Sequence, residues 1–264
     1  MATYLDRILD SHRTAAAEDI RSTDKLIEAC AELAPTRGFR NALVGGDRLA
    51  VIAEIKRRSP SKGDLRIDLD PTELAQTYRD GGADAISVLT DVEYFGGSPD
   101  DLARARAAVG LPVIRKDFTV SLNDVCDTRL MGADCVLLIV AALHDDELRD
   151  LSALAVELGL DVLVETHDEA EVDRAVALTR ADLIGVNQRD LVTFQVDQAR
   201  AVRVAKVIPP DAVKVAESGV RGTADAEALA AAGYEAVLVG EYLVTADDPM
   251  NALDNLRVPR RVDM

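Results

Sequence analysis

A chain of 264 residues that is 48% hydrophobic can bury a large core, which suits one large α/β domain or two small ones. Its 47 acidic against 30 basic residues give a net charge of −17, which argues against general binding to nucleic acid or to an anionic membrane surface. A small anionic substrate is compatible with that balance only where the fold gathers cations in one pocket.

The opening Met1-Ala2-Thr3-Tyr4-Leu5-Asp6-Arg7 lacks a basic segment followed by an apolar one and does not read as a signal peptide; no apolar run further on is long enough to span a membrane. Leu5, Ile8 and Leu9, then Leu26, Ile27, Cys30 and Leu33, have helical spacing. They predict two helices and a turn at Pro35 to Gly38, together an N-terminal helical extension over residues 1–47 that lies on a single larger domain over residues 48–264. From there a helix stop followed by an apolar strand recurs. Gly82-Ala83-Asp84 leads into Ala85 to Leu89, Gly132-Ala133-Asp134 into Cys135 to Ile139, Arg180-Ala181-Asp182 into Leu183 to Val186, and Gly233-Tyr234-Glu235 into Ala236 to Val239. Between them lie Leu49 to Ile55, Pro112 to Arg115, Asp161 to Val164 and Val213 to Ala216. Helices separate the eight strands. Asp70-Pro71-Thr72-Glu73 and Ser98-Pro99-Asp100-Asp101 open two of them with a cap, a first-turn proline and early acids. The rest run over Ser121 to Met131, Asp145 to Leu158, Asp168 to Leu178, Asp197 to Val204, Thr223 to Ala232 and Asp247 to Leu256, before a short polar tail, Arg257 to Met264, expected to fray. Eight strand–helix units of this size predict a (β/α)8 TIM barrel. A doubly wound open sheet is the alternative, weakened because no Gly-x-Gly-x-x-Gly follows the first strand.

In such a barrel the chemistry gathers at the C-terminal ends of the strands. The first strand ends in Glu54 and Lys56, which share a face, and leads into a basic loop with Ser59 and Lys62. The third ends at Arg115-Lys116-Asp117-Phe118, the fifth at Glu165-Thr166-His167, the sixth at Asn187-Gln188-Arg189-Asp190, the seventh at Glu217-Ser218-Gly219-Val220 and the eighth at Val239-Gly240-Glu241. Gly219 and Gly240 follow strands seven and eight, where backbone N–H groups can hold a phosphate. Lys56, Lys116 and Arg189 are expected to form a cationic cluster with Glu54, Glu165 and Glu217 among them, an arrangement that drives pKa values apart and suits acid–base work; structural ion pairs are the plainer reading. His12, His144 and His167 read as packing or helix-start residues. No histidine pair has metal-ligand spacing and no cysteine joins them, so no metal is expected. Cys30, Cys126 and Cys135 form no C-x-x-C pair and fit reduced thiols in a cytoplasm.

Ala53-Glu54-Ile55-Lys56-Arg57-Arg58-Ser59-Pro60-Ser61, Ile114-Arg115-Lys116-Asp117-Phe118, Gly185-Val186-Asn187-Gln188-Arg189-Asp190-Leu191 and Ala216-Glu217-Ser218-Gly219-Val220 resemble the motifs of indole-3-glycerol-phosphate synthases, as do Ser87-Val88-Leu89-Thr90-Asp91 and Tyr94-Phe95-Gly96-Gly97-Ser98. The resemblance runs from about Asp6 to Leu256, in register with all eight strands. It implies conversion of 1-(2-carboxyphenylamino)-1-deoxyribulose 5-phosphate to indole-3-glycerol phosphate in tryptophan biosynthesis, a carboxy-lyase reaction that loses carbon dioxide and water and uses no cofactor. It implies Lys116 as the acid of ring closure, Glu165 and Lys56 for dehydration, Glu54 supporting Lys56, and Asn187, Glu217 and Ser218 as positioning groups. Ser59 and Arg189 would lie near the anthranilate end. Phe95, Phe118, Leu137, Leu191 and Val239 would wall the ring, and Gly219, Gly240 and Glu241, with Lys56, would hold the phosphate. The loop Ser59 to Asp64 is expected to order over the ligand. No nucleic-acid or membrane partner is implied, and the chain is expected to be a monomer or weak oligomer.

Two other readings stay open. Another phosphosugar barrel, such as an isomerase acting on phosphoribosyl anthranilate, would share the glycine loops but not the Glu54-Ile55-Lys56 and Arg115-Lys116-Asp117-Phe118 pairings. A non-catalytic binder of phosphorylated metabolites would have no use for Lys116 and Glu165.

Overall fold

The computed structural model describes residues 3–180, 182–190, 192 and 194–260. Eight parallel strands close into a barrel: β1 (Ala50–Ile55), β2 (Ala85–Leu89), β3 (Val113–Lys116), β4 (Cys135–Ile139), β5 (Asp161–Thr166), β6 (Leu183–Asn187), β7 (Val213–Glu217) and β8 (Ala236–Val239). The ring closes where β1 pairs with β8, Ala50↔Ala236 to Ala53↔Val239, and with β2, Ile52↔Ala85 to Ile55↔Val88. Helices follow every strand, so the architecture is a (β/α)8 TIM barrel with helices before it in the chain. Among the described residues, no helix is long and apolar enough to cross a membrane.

Strand alternation sorts the core. Ile52, Ile114, Leu137, Leu163 and Leu238 bury in one cluster, while Val51, Ala53, Ile55, Ile86 and Val88 pack in another with Leu74, Tyr78 and Leu102 of the helices outside. The helix-stop glycines Gly82, Gly132 and Gly233 have φ of +85° to +90°, as a left-handed C-terminal residue requires. The acids two residues later have a use that the pattern alone does not reveal. Asp84 accepts the Val51 N–H, Asp134 the Val113 N–H and Glu235 the Lys214 N–H, each at 2.8 Å, so each tethers the start of the preceding strand.

Several expected boundaries move. β3, β5, β6 and β7 run one or two residues further than predicted, because their polar ends stay in the ladder: Leu89↔Lys116, Thr166↔Val186 and Asn187↔Glu217 remain paired. A polar side chain at a strand end marks a change of surroundings, not a loss of backbone hydrogen bonding. The expected last helix, Asp247 to Leu256, is shorter, Pro249–Asp254 capped by Asp248, and an unpredicted short helix, Glu241–Val244, precedes it. The tail up to Arg260 is tied down rather than frayed. Leu49 donates to the Val258 carbonyl at 2.8 Å, and Arg260 donates to that of Asp47 at 2.8 Å.

Before β1, helices span Tyr4–Glu18 and Thr23–Ala31, and a third, unpredicted, spans Phe39–Leu43. Phe39 and Leu43 bury among Ala50, Ala85, Cys135 and Ala236, the first residues of their strands, and so close the N-terminal end of the barrel. The Thr23–Ala31 helix packs on Leu122–Leu130, where Thr23 donates to Asn123 Oδ1 at 2.7 Å and Arg21, just before it, pairs with Asp127 at 2.8 Å. All three cysteines are buried free thiols.

Candidate active site

The C-terminal ends of the strands open into a cavity of about 710 Å³. Every described residue that sequence reasoning assigned to catalysis, substrate or phosphate lines it; Leu191 lies outside the described residues. At its centre are two lysines and three glutamates. Lys56 pairs with Glu54. Lys116 Nζ lies 3.3 Å from Glu165 Oε2 and 3.9 Å from Glu217 Oε2. Asn187 Nδ2 donates to Glu165 Oε1 at 3.0 Å. The cations expected to gather here do so with acids among them, and Arg189 also faces an acid, Glu241, at 3.9 Å.

These neighbours set the protonation states. Burial opposes charge on Lys116, but Glu165, Glu217 and Glu54 outweigh it and hold the ammonium above the ordinary lysine range. Burial also opposes charge on Glu165, yet Lys116, then His167, then the Asn187 hydrogen bond keep it below the usual carboxylate value. Glu217 goes the other way. Burial and the nearby charge of Glu165 push it well above that value, and neither of its oxygens has a hydrogen-bond partner among the described residues. One lysine between a carboxyl group held towards its ionised form and one pushed towards its neutral form brings a cationic donor, a base and an acid into one cluster.

Two glycines make room for the acids. A Cβ on Gly185 of β6 would strike Glu217 Oε1, and one on Gly240 would strike Glu54 Oε2 and lie 3.0 Å from Lys56 Nζ. Gly185 was not singled out from the sequence. Its place inside an apolar strand was the available signal, since glycine there marks close approach. Gly240 was read only as a phosphate loop, and the structure adds this second use.

The phosphate side is built from backbone. Ser218 and Gly219 both have left-handed φ, 64° and 75°, and for serine that is strain of the kind found at functional sites. Their carbonyls are tied back by Gln188 Nε2 at 2.7 Å and Gln198 Nε2 at 3.3 Å. Glu241 starts the short helix after Gly240, but its carboxylate faces Lys62 at 3.3 Å, so only its N–H suits an anion. Residues Arg58–Ser59 and Gly63–Asp64 pair as a small antiparallel hairpin, which gives the loop over the cavity a defined form. Arg57 is absorbed by Asp101 and Arg58 by the Val92 and Glu93 carbonyls, which leaves Lys56 and Lys62 of that basic run lining the cavity.

The apolar side holds Phe95 and Phe118, ring centroids 6.4 Å apart, with Leu137. Val239 is only 3% exposed and packs in the helix–strand layer; the next residue back, Leu238, belongs to the interior cluster and also lines the cavity. Strand alternation thus makes Leu238, which the sequence reading passed over, the inward residue of β8.

His12 is not a plain helix residue. Its Nε2 lies 3.0 Å from Asp91 Oδ2 and 3.7 Å from Asp117 Oδ1, so ligand-type atoms that sequence spacing kept apart come within 4.8 Å of one another. Each is already engaged. Tyr94 and Phe95 N–H groups donate to Asp91 Oδ1 at 2.6 and 3.1 Å, Phe118 N–H to Asp117 Oδ1 at 2.9 Å, and Arg115 to Asp117 Oδ2 at 2.9 Å. The cluster therefore reads as a hydrogen-bonded support for the segments carrying Phe95 and Phe118.

Comparison with known proteins agrees with this geometry. The family model for indole-3-glycerol phosphate synthase matches residues 5–256. Proteins of that name are 50% identical over 252 residues in Arthrobacter sp. (strain FB24), with 92% of each chain covered, and 48% identical over 249 residues in Chlorobium luteolum, with 93% of this chain and 95% of the relative covered. Among solved structures, thiamine phosphate pyrophosphorylase from Pyrococcus furiosus superposes with a TM-score of 0.60 at 16% identity over 82% of this chain and 95% of that one, a likeness of fold alone. By sequence over nearly its whole length, the chain belongs to the indole-3-glycerol phosphate synthase family.

Proposed function

We infer that the chain is an indole-3-glycerol-phosphate synthase that closes the indole ring of 1-(2-carboxyphenylamino)-1-deoxyribulose 5-phosphate, releasing carbon dioxide and water. The observation that carries the assignment of roles is Lys116, a part-buried ammonium between Glu165 and Glu217 in a cavity that also presents Phe95 and Phe118. In the first step the ring carbon bearing the carboxylate attacks the sugar ketone. Charge develops on the ketone oxygen, and the Lys116 ammonium donates to it. A raised lysine pKa does not prevent this, because the developing alkoxide is the stronger base. Loss of carbon dioxide restores the aromatic ring. Departure of the new hydroxyl as water needs an acid, and removal of the C1 proton needs a base. Glu165, kept ionised, suits the base; Lys56, held by Glu54, suits the acid. Neutral Glu217, with Asn187 and Ser218, suits the sugar oxygens.

The phosphate is assigned to the backbone at Gly219, Gly240 and Glu241, helped by Lys56. Phe95, Phe118, Leu137 and Leu238 are assigned to the ring, with Ser59 and Arg189 towards its carboxylate. Residues 1–47 belong to this reading as an extension of the 48–264 barrel. Three buried free thiols fit a reducing cytoplasm.

The chain contains no tryptophan, so indole fluorescence from product rises against a dark background. Mixing protein with the carboxyphenylamino-deoxyribulose phosphate should give that rise, and Lys116→Met should reduce it by about 10³-fold or more while substrate still binds. A wild-type protein that binds the substrate and produces no indole would overturn the reading.

A further inference from the structure

His167 is one of three histidines in the chain, and its side chain does not line the cavity. It stands just beyond β5, two residues after Glu165. Its Nε2 is buried, has no hydrogen-bond partner among the described residues, and lies 3.6 Å from Glu165 Oε1. Its Nδ1 lies 3.1 Å from Glu171 Oε2, and the same oxygen accepts the His167 backbone N–H at 2.7 Å. Glu171 is thus fixed by two contacts to one residue, and it fixes the ring in return. The order Glu171, His167, Glu165, Lys116 runs from the helix layer to the middle of the cavity.

We propose that His167 is a positioning residue for Glu165: its ring, clamped by Glu171, stands behind the carboxylate and holds it ionised and turned towards Lys116. Glu165 has two oxygens to satisfy. Oε2 faces Lys116, and Oε1 takes Asn187 on one side and the imidazole on the other. Asn187 is neutral, so His167, when protonated, is the group that puts positive charge behind Oε1. Around the ring, Glu165 from its own strand and Glu171 from the Glu169–Leu178 helix favour the imidazolium, while Arg200 of the Gln198–Val204 helix opposes it; burial also opposes it, and the net direction is upward from the ordinary histidine value. A base that takes a proton from the substrate in a buried site needs its charge maintained between turnovers, and a second group out of reach of the substrate can maintain it without entering the chemistry.

Two measurements on the full chain test this. The first uses no substrate, so it stands or falls apart from the ring-closing assignment. Imidazole resonances of the three histidines are assigned with His12→Gln, His144→Gln and His167→Gln and titrated. The His167 midpoint should lie above the ordinary value of about 6.5 and fall in both Glu165→Gln and Glu171→Gln. The second is kcat/KM against pH for His167→Gln, whose rate readout rests on the ring-closing reading. The variant should lose about tenfold relative to wild type at about pH 5.5, and the loss should shrink as pH rises through the His167 midpoint found in the first measurement. Glu171→Gln keeps the ring and should show a smaller loss of the same shape. A His167 midpoint unmoved by Glu165→Gln, or a loss that is uniform across pH, would overturn the proposal and leave His167 a packing residue.

Discussion

Gly185→Ala is a one-carbon test of how the site is packed. The new Cβ would land on Glu217 Oε1, with Leu163 Cδ1 at 3.3 Å on another side. Glu217 is 1% exposed and its strand pairs with β6 through Gly185↔Val215 and Asn187↔Glu217, so its backbone is fixed and the carboxylate must swing away from β6 towards Lys116 and the cavity. To restore ordinary contact it must move by on the order of 1 Å, and Lys116, already 3.9 Å from its Oε2, moves or loses it. Overpacking of this kind costs about 1–3 kcal/mol of stability. A displacement of that size at a reacting cluster costs about 10²-fold in kcat/KM. Product fluorescence reads the rate; because tryptophan is absent, urea unfolding is followed by circular dichroism. The decisive control is the Glu217→Ala background. With the carboxylate gone, Gly185→Ala should be neutral or stabilise by up to about 0.5–1 kcal/mol, since alanine is better than glycine inside a strand. An equal stability loss in both backgrounds, or activity within about twofold of wild type, refutes the reasoning.

Two further predictions follow from protonation. Glu217 has a folded-state pKa raised by burial and by Glu165, so its contribution to stability is present below the unfolded carboxyl value and is lost as pH rises through the folded one; Glu217→Gln should therefore gain stability relative to wild type from about pH 5 to about pH 8 in urea melts, with reduced activity. For His12, burial works against charge, but Asp91 and Asp117 prevail and its pKa is raised. Its pairing contributes fully below about pH 6.5 and fades as pH rises through the folded value; His12→Gln should cost about 1 kcal/mol at about pH 5.5 and little at about pH 9, with amide exchange in Tyr4–Glu18 showing the same trend. A pH-independent gap in either case would contradict the assigned protonation states.

What the sequence made legible divides along physical lines. The barrel was readable because the strands are largely apolar and three of the four recurring helix stops carry a left-handed glycine, Gly82, Gly132 and Gly233, signals that are local to a few residues. The acids and lysines at the strand ends were readable for a related reason: charge after an apolar run needs an explanation. What was not readable depended on which strands become neighbours. The run Lys56, Arg57, Arg58 looks uniform in the sequence, yet only Lys56 turns inward, because Asp101 and two backbone carbonyls take the other two. His12 looked like one more polar helix residue until the barrel brought Asp91 and Asp117 to it. Leu238 was passed over beside Val239; both line the cavity, and a one-residue step along a strand inverts which face of the sheet a side chain meets.

Glu54 and Glu217 are housed by the same device, and it explains why glycines and glutamates recur together at these strand ends. Each carboxylate occupies the volume that a Cβ would take on the adjoining strand, at Gly240 beside β1 and at Gly185 beside β7. Below the cavity the barrel interior is filled by Ile52, Ile114, Leu137 and Leu163, and each glutamate lies against its neighbouring strand where glycine leaves room. The exchange has an electrostatic consequence as well as a steric one. With no side chain between, each acid sits deep beside a lysine, Glu54 against Lys56 and Glu217 3.9 Å from Lys116, where water screens little. Glu54, paired at close range, and Glu217, left without a hydrogen-bond partner, are two outcomes of one packing solution. The difference between them is the distance to the nearest lysine, which is why a single methyl group at position 185 is expected to reach the chemistry without touching the substrate.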